Sequence, residues 1–185
     1  MIEARVLDKH LIVEGFKNIK INNLDSLFSF IKVSSRNCHV QILDAALVAG
    51  FEHIYFAVLN AIKSFKTGIN VSRSLEVEIL LFASGQNQIK RAIEILGIKP
   101  YSSSAALIII ADDHAEAIAT LNYISNILDG ERDHYVIELT DEKISGIIET
   151  FKISKLEIDA SIRASLKDAV KNILIERAAL LVTER

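Results

Sequence analysis

The sequence predicts an α/β (α+β) sandwich: a mixed four- or five-stranded sheet covered by helices, in a single domain over residues 1–185. Three observations lead there. Short β-branched runs alternate with stretches whose apolar residues recur every three or four positions. Half of the 185 residues are apolar and 24% are charged, enough to bury a sizeable core. One proline and seven glycines leave no linker, and no repeat or low-complexity tract divides the chain.

The elements follow in order. Residues 10–15 (HLIVEG) are short, apolar and β-branched, and predict a strand. Leu24, Leu27, Phe28 and Ile31 recur at helical spacing, with Asp25 or Ser26 in the first turn, predicting a helix over 24–33. CHVQIL at 38–43 predicts a second strand. Phe51, Ile54, Tyr55, Val58, Ile62 and Phe65 make one stripe of a helix over 50–65, stopped near Gly68.

VEILLFA at 77–83 is apolar except for Glu78 and reads as a central strand buried on both faces. Ser84-Gly85 then turns the chain into a helix over 86–96, with Ile89, Ile93 and Leu96 inward and Gly97 as its C-cap. Residues 107–111 predict another buried strand. Asp112 or Asp113 caps a helix running to about 128, a short strand covers 135–139, and helices over 141–151 and roughly 161–183 close the chain. Several connections are too short for a parallel crossover, so uniform parallel winding is not expected.

Composition excludes several function classes. The net charge of −3 and pI near 6.0 exclude a globally basic nucleic-acid binder but leave room for a local patch. The single cysteine, Cys38, excludes an internal disulfide framework and a multi-cysteine zinc site; it reads as a buried inert thiol in a reducing cytoplasm. The opening MIEARVLDKHLIVEG has no charged start, apolar core and cleavage site of a leader. The longest apolar run, Ala105–Ala111, falls far short of the roughly 20 residues that span a bilayer. The expectation is a soluble cytoplasmic protein without a membrane partner.

Catalytic signals are missing. The five histidines have no metal-ligand spacing, and Asp112-Asp113-His114 reads as a capped helix start. No nucleophile elbow, Walker loop or dinucleotide-binding glycine motif occurs. The expectation is a non-enzyme with no catalytic residue, no metal and no cofactor.

The informative stretch is VSRSLEVEILLFASGQNQIKRAIEILG, residues 71–97. Arg73 precedes the expected strand on a turn. Ser84 and Gly85 open the expected helix, where free N–H groups and the positive dipole end favour an anion. Lys90 and Arg91 add charge near that end, and Gln86 and Gln88 supply amides able to read a base edge or ribose. An ordinary strand–turn–helix with a capping serine is the plainer reading of the same residues. The terminal helix poses a second question. Leu166, Val170, Ile173, Leu174, Leu180 and Leu181 cover one side, and Ile175, Ala178, Ala179 and Val182 extend apolar surface over most of the rest. It is either a central helix of the domain's own core or a surface left for a partner.

Four segments then resemble one family: QILDAALVAGFEHIYFAVLNAI (41–62), SRSLEVEILLFASGQNQIKRAIEILGI (72–98), FKIS (151–154) and ILIERAALL (173–181). They are similar to the tRNA-binding accessory subunits of the KEOPS (EKC) complex, archaeal relatives of the human PRPK-binding protein. The string from Ser74 to Gly97 is the specific part; between 99 and 150 only the pattern of elements matches. The resemblance implies a non-catalytic subunit of the assembly that installs threonylcarbamoyl on the adenosine beside the anticodon of ANN-decoding tRNAs. It implies two direct partners: the amino-terminal lobe of a small atypical kinase/ATPase subunit, which it would regulate, and the 3′ CCA end of tRNA. Under that reading Arg73, Ser84, Gly85, Gln86, Gln88, Lys90 and Arg91 face tRNA. Leu174, Ala178, Leu181 and Val182 meet the kinase lobe, with help from the helix over 51–66. The alternative is a small-ligand or nucleotide-binding regulatory domain using the Ser84-Gly85 helix end.

Overall fold

The computed structural model describes residues 1–35 and 37–183. In chain order the elements are β1 (Ile2–Val6), β2 (Lys9–Lys20), α1 (Leu24–Ser34), β3 (Cys38–Asp44), α2 (Phe51–Thr67), α3 (Leu75–Ser84) and α4 (Ile89–Leu96). There follow β4 (Ser104–Ala111), α5 (His114–Ile127), β5 (Asp129–Arg132), α6 (Asp141–Thr150), α7 (Lys155–Ser161) and α8 (Leu166–Leu180). The result is an α+β fold with a five-stranded sheet. The chain forms two compact units: residues 1–46 with 98–137, and residues 47–97 with the described residues from 138 onward.

The first unit holds the sheet, in the order β1-β2-β4-β3, with β5 pairing along β2. Among the described residues every pairing is antiparallel, which corrects the expected mixed sheet. The helical connection from β2 through α1 to β3 does run those two strands the same way. However, β4 inserts between them and opposes both, so no parallel neighbours arise. Alternation along the strands sends Ile12, Phe16, Val40, Ile42, Leu107 and Ile109 into one core with Leu27 and Ile31 of α1 and Ala117, Leu121 and Ile124 of α5. Asp113 caps α5 by accepting from Glu116 N at 3.0 Å, so the Asp-Asp-His run is indeed a helix start. Cys38 is buried, 3.3 Å from the Thr120 hydroxyl, and burial pushes its thiol up. Gly15 has a steric reason: a side chain there would strike the Asp133 carbonyl and Val136.

The second unit is helical. α8 packs against α2, α3, α6 and α7, so the apolar circumference of the terminal helix is explained by neighbours on several sides.

Three further expectations fail. Residues 77–83 are the middle of α3, not a strand. Residues 135–139 are not a strand either, since His134–Ile137 is a 3-10 turn, and the strand of that region, β5, lies just before it. In α4 the buried residues are Ala92, Ile95 and Leu96, whereas Ile89 and Ile93 point outward at 41% and 49% exposure. Among the described residues no helix is long and apolar enough to cross a membrane.

Candidate functional site

The segment singled out by sequence is built on α3 and the turns at its two ends. Before it, α2 ends on Gly68 in the left-handed conformation, with Ile69 N donating back to Ser64 O at 3.1 Å. Residues 69–74 then lead to Ser74, whose side chain caps α3 by accepting from Val77 N at 3.3 Å.

The turn after α3 reverses the expected polarity. Ser84 is the last residue of α3, and Gly85 follows it at φ +61°. Gly85 N donates to Phe82 O at 3.1 Å and Gln86 N to Leu81 O at 3.0 Å, the paired bonds of a Schellman stop. The Ser84 hydroxyl is buried and donates to Leu81 O at 3.1 Å. Ser84-Gly85 is therefore a helix C-terminus, where carbonyls and the negative dipole end repel an anion. The N–H groups that were to cradle a phosphate are already bonded, and this removes the physical basis of a phosphate or nucleotide site at these two residues.

A buried imidazole completes the same stop. His53 Nδ1 accepts from Ala49 N at 3.2 Å, so Nε2 carries the proton and donates to Ala83 O at 2.8 Å. Burial lowers the His53 pKa to about 4, so the ring is neutral at physiological pH.

The open helix end lies three residues further on. α4 starts at Gln88, which makes no side-chain cap, and its first turn carries Lys90 and Arg91 without an acidic residue. Lys90 is exposed and without a bonded partner among the described residues, and Arg91 leans 3.8 Å from Glu94. Gln86 is half-buried, donating to Ser84 O at 3.4 Å, and Gln88 is exposed. Gln86, Gln88, Lys90 and Arg91 therefore cluster around the start of α4. Arg73 does not join them closely. It stands before α3, whose 10 residues separate it from Gly85 by about 15 Å of helix rise.

The predicted kinase-facing residues lie differently again. Leu174, Ala178 and Leu181 are buried at 3%, 0% and 3% exposure, and Val182 is half-buried. α8 turns Leu166 and Leu180 outward, at 39% and 50% exposure. Arg177 of α8 instead holds neighbouring chain: its guanidinium donates to Phe151 O and Glu157 Oε1, each at 2.6 Å. That guanidinium, with the Ser154 backbone and hydroxyl, holds the Glu157 carboxyl down at about 2.

Sequence reasoning missed the residue that organises the first turn. Glu78 is wholly buried, and its carboxyl accepts from Ser72 N at 2.8 Å, Ser64 Oγ at 3.2 Å and Val71 N at 3.4 Å. Its signal was visible: one acidic residue inside an apolar run, following a stretch of Asn and Ser. Among the described residues no group of three or more His, Cys, Asp or Glu side chains could hold a metal ion.

The start of α4 and the turn before α3 thus carry exposed cations beside outward apolar side chains, Lys90 and Arg91 with Ile89 and Ile93, and Arg73 with Ile69 and Val71. Residues 16–180 match the model of the family described as kinase binding protein CGI-121, and the chain belongs to that family. It is 34% identical over 143 residues to the regulatory protein Cgi121 of Methanocaldococcus jannaschii, covering 77% of this chain and 85% of that one. It is also 36% identical over 75 residues to the KEOPS complex subunit Cgi121 of Pyrococcus abyssi, covering 40% of this chain and 41% of that protein.

Proposed function

We propose that the chain is a non-catalytic, cytoplasmic subunit of a KEOPS complex, where it binds the kinase/ATPase subunit and holds the 3′ CCA end of tRNA for the catalytic subunit. The family match over residues 16–180 supports kinase binding, and the naming of the Pyrococcus abyssi relative as a KEOPS subunit supports the assembly. The tRNA reading rests on one observation: the uncapped first turn of α4 presents backbone N–H groups, Lys90 and Arg91 to solvent, with Gln86 and Gln88 beside them. A helix N-terminus with two cations favours phosphate. Single-stranded ends also expose base edges and sugar hydroxyls that amides can read, as paired RNA mostly does not. Arg73 supplies a second, separate cation. At the end of α8, Leu180 and the half-buried Val182 just beyond it are the natural kinase contacts, in place of the buried Leu174, Ala178 and Leu181.

The test titrates wild type, Lys90→Glu/Arg91→Glu and Arg73→Glu against intact tRNA and tRNA lacking its terminal CCA, at one stated salt concentration. Wild type should weaken on trimming, and the variants should bind both RNAs equally poorly while folded. The log–log salt slope should be about −0.7 per phosphate neutralised. Equal wild-type affinity for both RNAs would move the site elsewhere. Kinase pull-down with Leu180→Glu and Val182→Glu tests the second contact, which is wrong if both variants bind like wild type. The purified chain should hydrolyse no nucleotide by itself.

A further inference from the structure

β1 is an outer strand of the sheet and pairs with β2 alone. Only Leu7 and Asp8 join the two strands, with Leu7 at φ +57° and Val6 opposite Lys9. The pair that closes such a two-residue loop exchanges its backbone bonds, and bonded pairs alternate with unbonded ones along an antiparallel ladder. Val6, Ala4 and Ile2 therefore bond to β2, while Glu3 and Arg5 turn their N–H and C=O groups to the open side. The side chains of Glu3 and Arg5 are exposed, and being two residues apart they share one face of the strand. Glu3 is held there by α5, its Oε2 lying 2.9 Å from His114 Nε2, and Arg5 donates to Asp8 O at 3.4 Å. The far edge of the sheet is treated differently. On β3, Gln41 Oε1 accepts from Ile42 N at 2.8 Å, so a side chain closes part of that edge. Edges are also blunted by proline or by charges of one sign. β1, IEARV, carries no proline, and its two charges are opposite.

We propose that β1 pairs antiparallel with β1 of a second copy of this chain, about a two-fold axis at Ala4, so that the two sheets run on as one. The strand is self-complementary in that register. Glu3 meets Arg5 of the other copy and Arg5 meets its Glu3, while Ile2 meets Val6 and Ala4 meets itself. At the ends Met1, 48% exposed, comes opposite Leu7, 47% exposed. Two independent features agree on this register. The hairpin fixes Glu3 and Arg5 as the residues whose backbone groups point outward, and the same two residues carry the charges that then attract. A slip of one position sets inward backbone groups against outward ones. A slip of two sets Glu3 against Glu3 or Arg5 against Arg5, and like charges directly opposite are destabilising. The result is an isologous contact, closed by its own symmetry. With 5 residues in each β1, it falls short of the roughly 1,200–2,000 Å² of a stable interface, so the dimer is weak and concentration-dependent. β1 lies outside residues 16–180, which the family model matches, and holds none of the residues proposed above for tRNA or the kinase. The dimer stands whether or not that reading holds.

The experiment is sedimentation velocity of the full chain over a concentration series, with melting temperature as the check on folding. Wild type should associate reversibly to a dimer. Glu3→Arg and Arg5→Glu should each weaken it about tenfold or more, because the two-fold axis makes every like-charge pair twice. An equimolar mixture of the two variants, and the double swap Glu3→Arg/Arg5→Glu, should recover the dimer. A cross-link reads the register directly. Across the axis the two Ala4 residues form an unbonded pair with Cα atoms about 4.5 Å apart, within disulfide reach. Ala4→Cys should therefore oxidise to a covalent dimer, whereas Ile2→Cys, about 14 Å from its own copy, should not. Cys38 is buried and does not compete. A wild type that stays monomeric at every concentration overturns the proposal. So does a dimer that both charge reversals leave intact, or a loss that neither the mixture nor the double swap recovers. Should a reversal melt early, the two cysteine variants decide alone: no cross-link at Ala4→Cys, or equal cross-linking at both positions, overturns the register.

Discussion

Val77–Ala83 and Leu107–Ala111 are two short, mostly apolar runs, one the middle of α3 and the other the end of β4. Their immediate composition hardly separates them, because a fully buried helix and a fully buried strand both read as continuous apolar sequence. Their surroundings do. The first is framed by a capping Ser74 and by Gly85 in the left-handed conformation, the start and stop of a helix. The second holds three consecutive isoleucines, stiff at χ1 and suited to a pleated surface, and it pairs on both sides: Ile109 lies between Ile12 and Val40. The difference also appears in how each treats charge. The α3 run accommodates Glu78 because neighbouring donors meet it, whereas Ile109 of β4 lies between apolar partners on both neighbouring strands.

That contrast can be broken first at the strand. Ile109 is fully buried among apolar residues. Ile109→Glu, the residue type that α3 tolerates, should cost more than about 4 kcal/mol and leave the chain unfolded by circular dichroism. A folded variant with a near-native melting temperature would show that the β4 core can solvate charge.

The next effect belongs to α3, where His53 holds the Ala83 carbonyl. The folded ring titrates at about 4 rather than the ordinary 6.5, so below pH 6.5 the unfolded chain takes up the proton first. Stability should be untouched above neutrality and fall as pH drops from 6.5 toward 4, by up to about 3 kcal/mol. Urea midpoints across that window check it, with His53→Gln as the reference in which this part of the slope disappears. Identical slopes in the two proteins would remove His53 from the account.

The smallest effect sharpens the comparison at the helix stop. Gly85→Ala keeps the fold but forces a Cβ into φ +61°, costing about 1 kcal/mol, and its Cβ would meet only Arg177 Cβ at 3.7 Å. Calorimetry should show a melting temperature a few degrees lower. A variant as stable as wild type would argue that the turn relaxes away from the left-handed conformation.

Much of the fold was legible where local signals agreed with tertiary packing. β2, β3, β4, α1, α2 and α5 all fall where periodicity and caps indicate, and Gly68 and Gly97 end helices as expected. β5 was hidden because its four residues, DGER, are all exposed and carry no apolar pattern. The candidate site was legible in its cast and not in its arrangement. Arg73, Gln86, Gln88, Lys90 and Arg91 are exposed or half-buried near helix ends, but reading 77–83 as a strand turned Ser84-Gly85 from a helix stop into a helix start. The terminal helix shows the same limit, because apolar residues all round say that it is covered without saying by what.

The sequence by itself determined the class of the chain, the cap at the start of α5, the helix stops at Gly68 and Gly97 and most of the side chains that leave water, since these follow from backbone chemistry and apolar area read locally. Only the tertiary structure decided that β4 lies between β2 and β3 and opposes both, that α8 spends Leu174, Ala178 and Leu181 on its own unit, and that Glu78 reaches back to the turn before α3. Each of these depends on which distant segment supplies the hydrogen-bond partner or apolar neighbour, and a local pattern states the need for a partner without naming it.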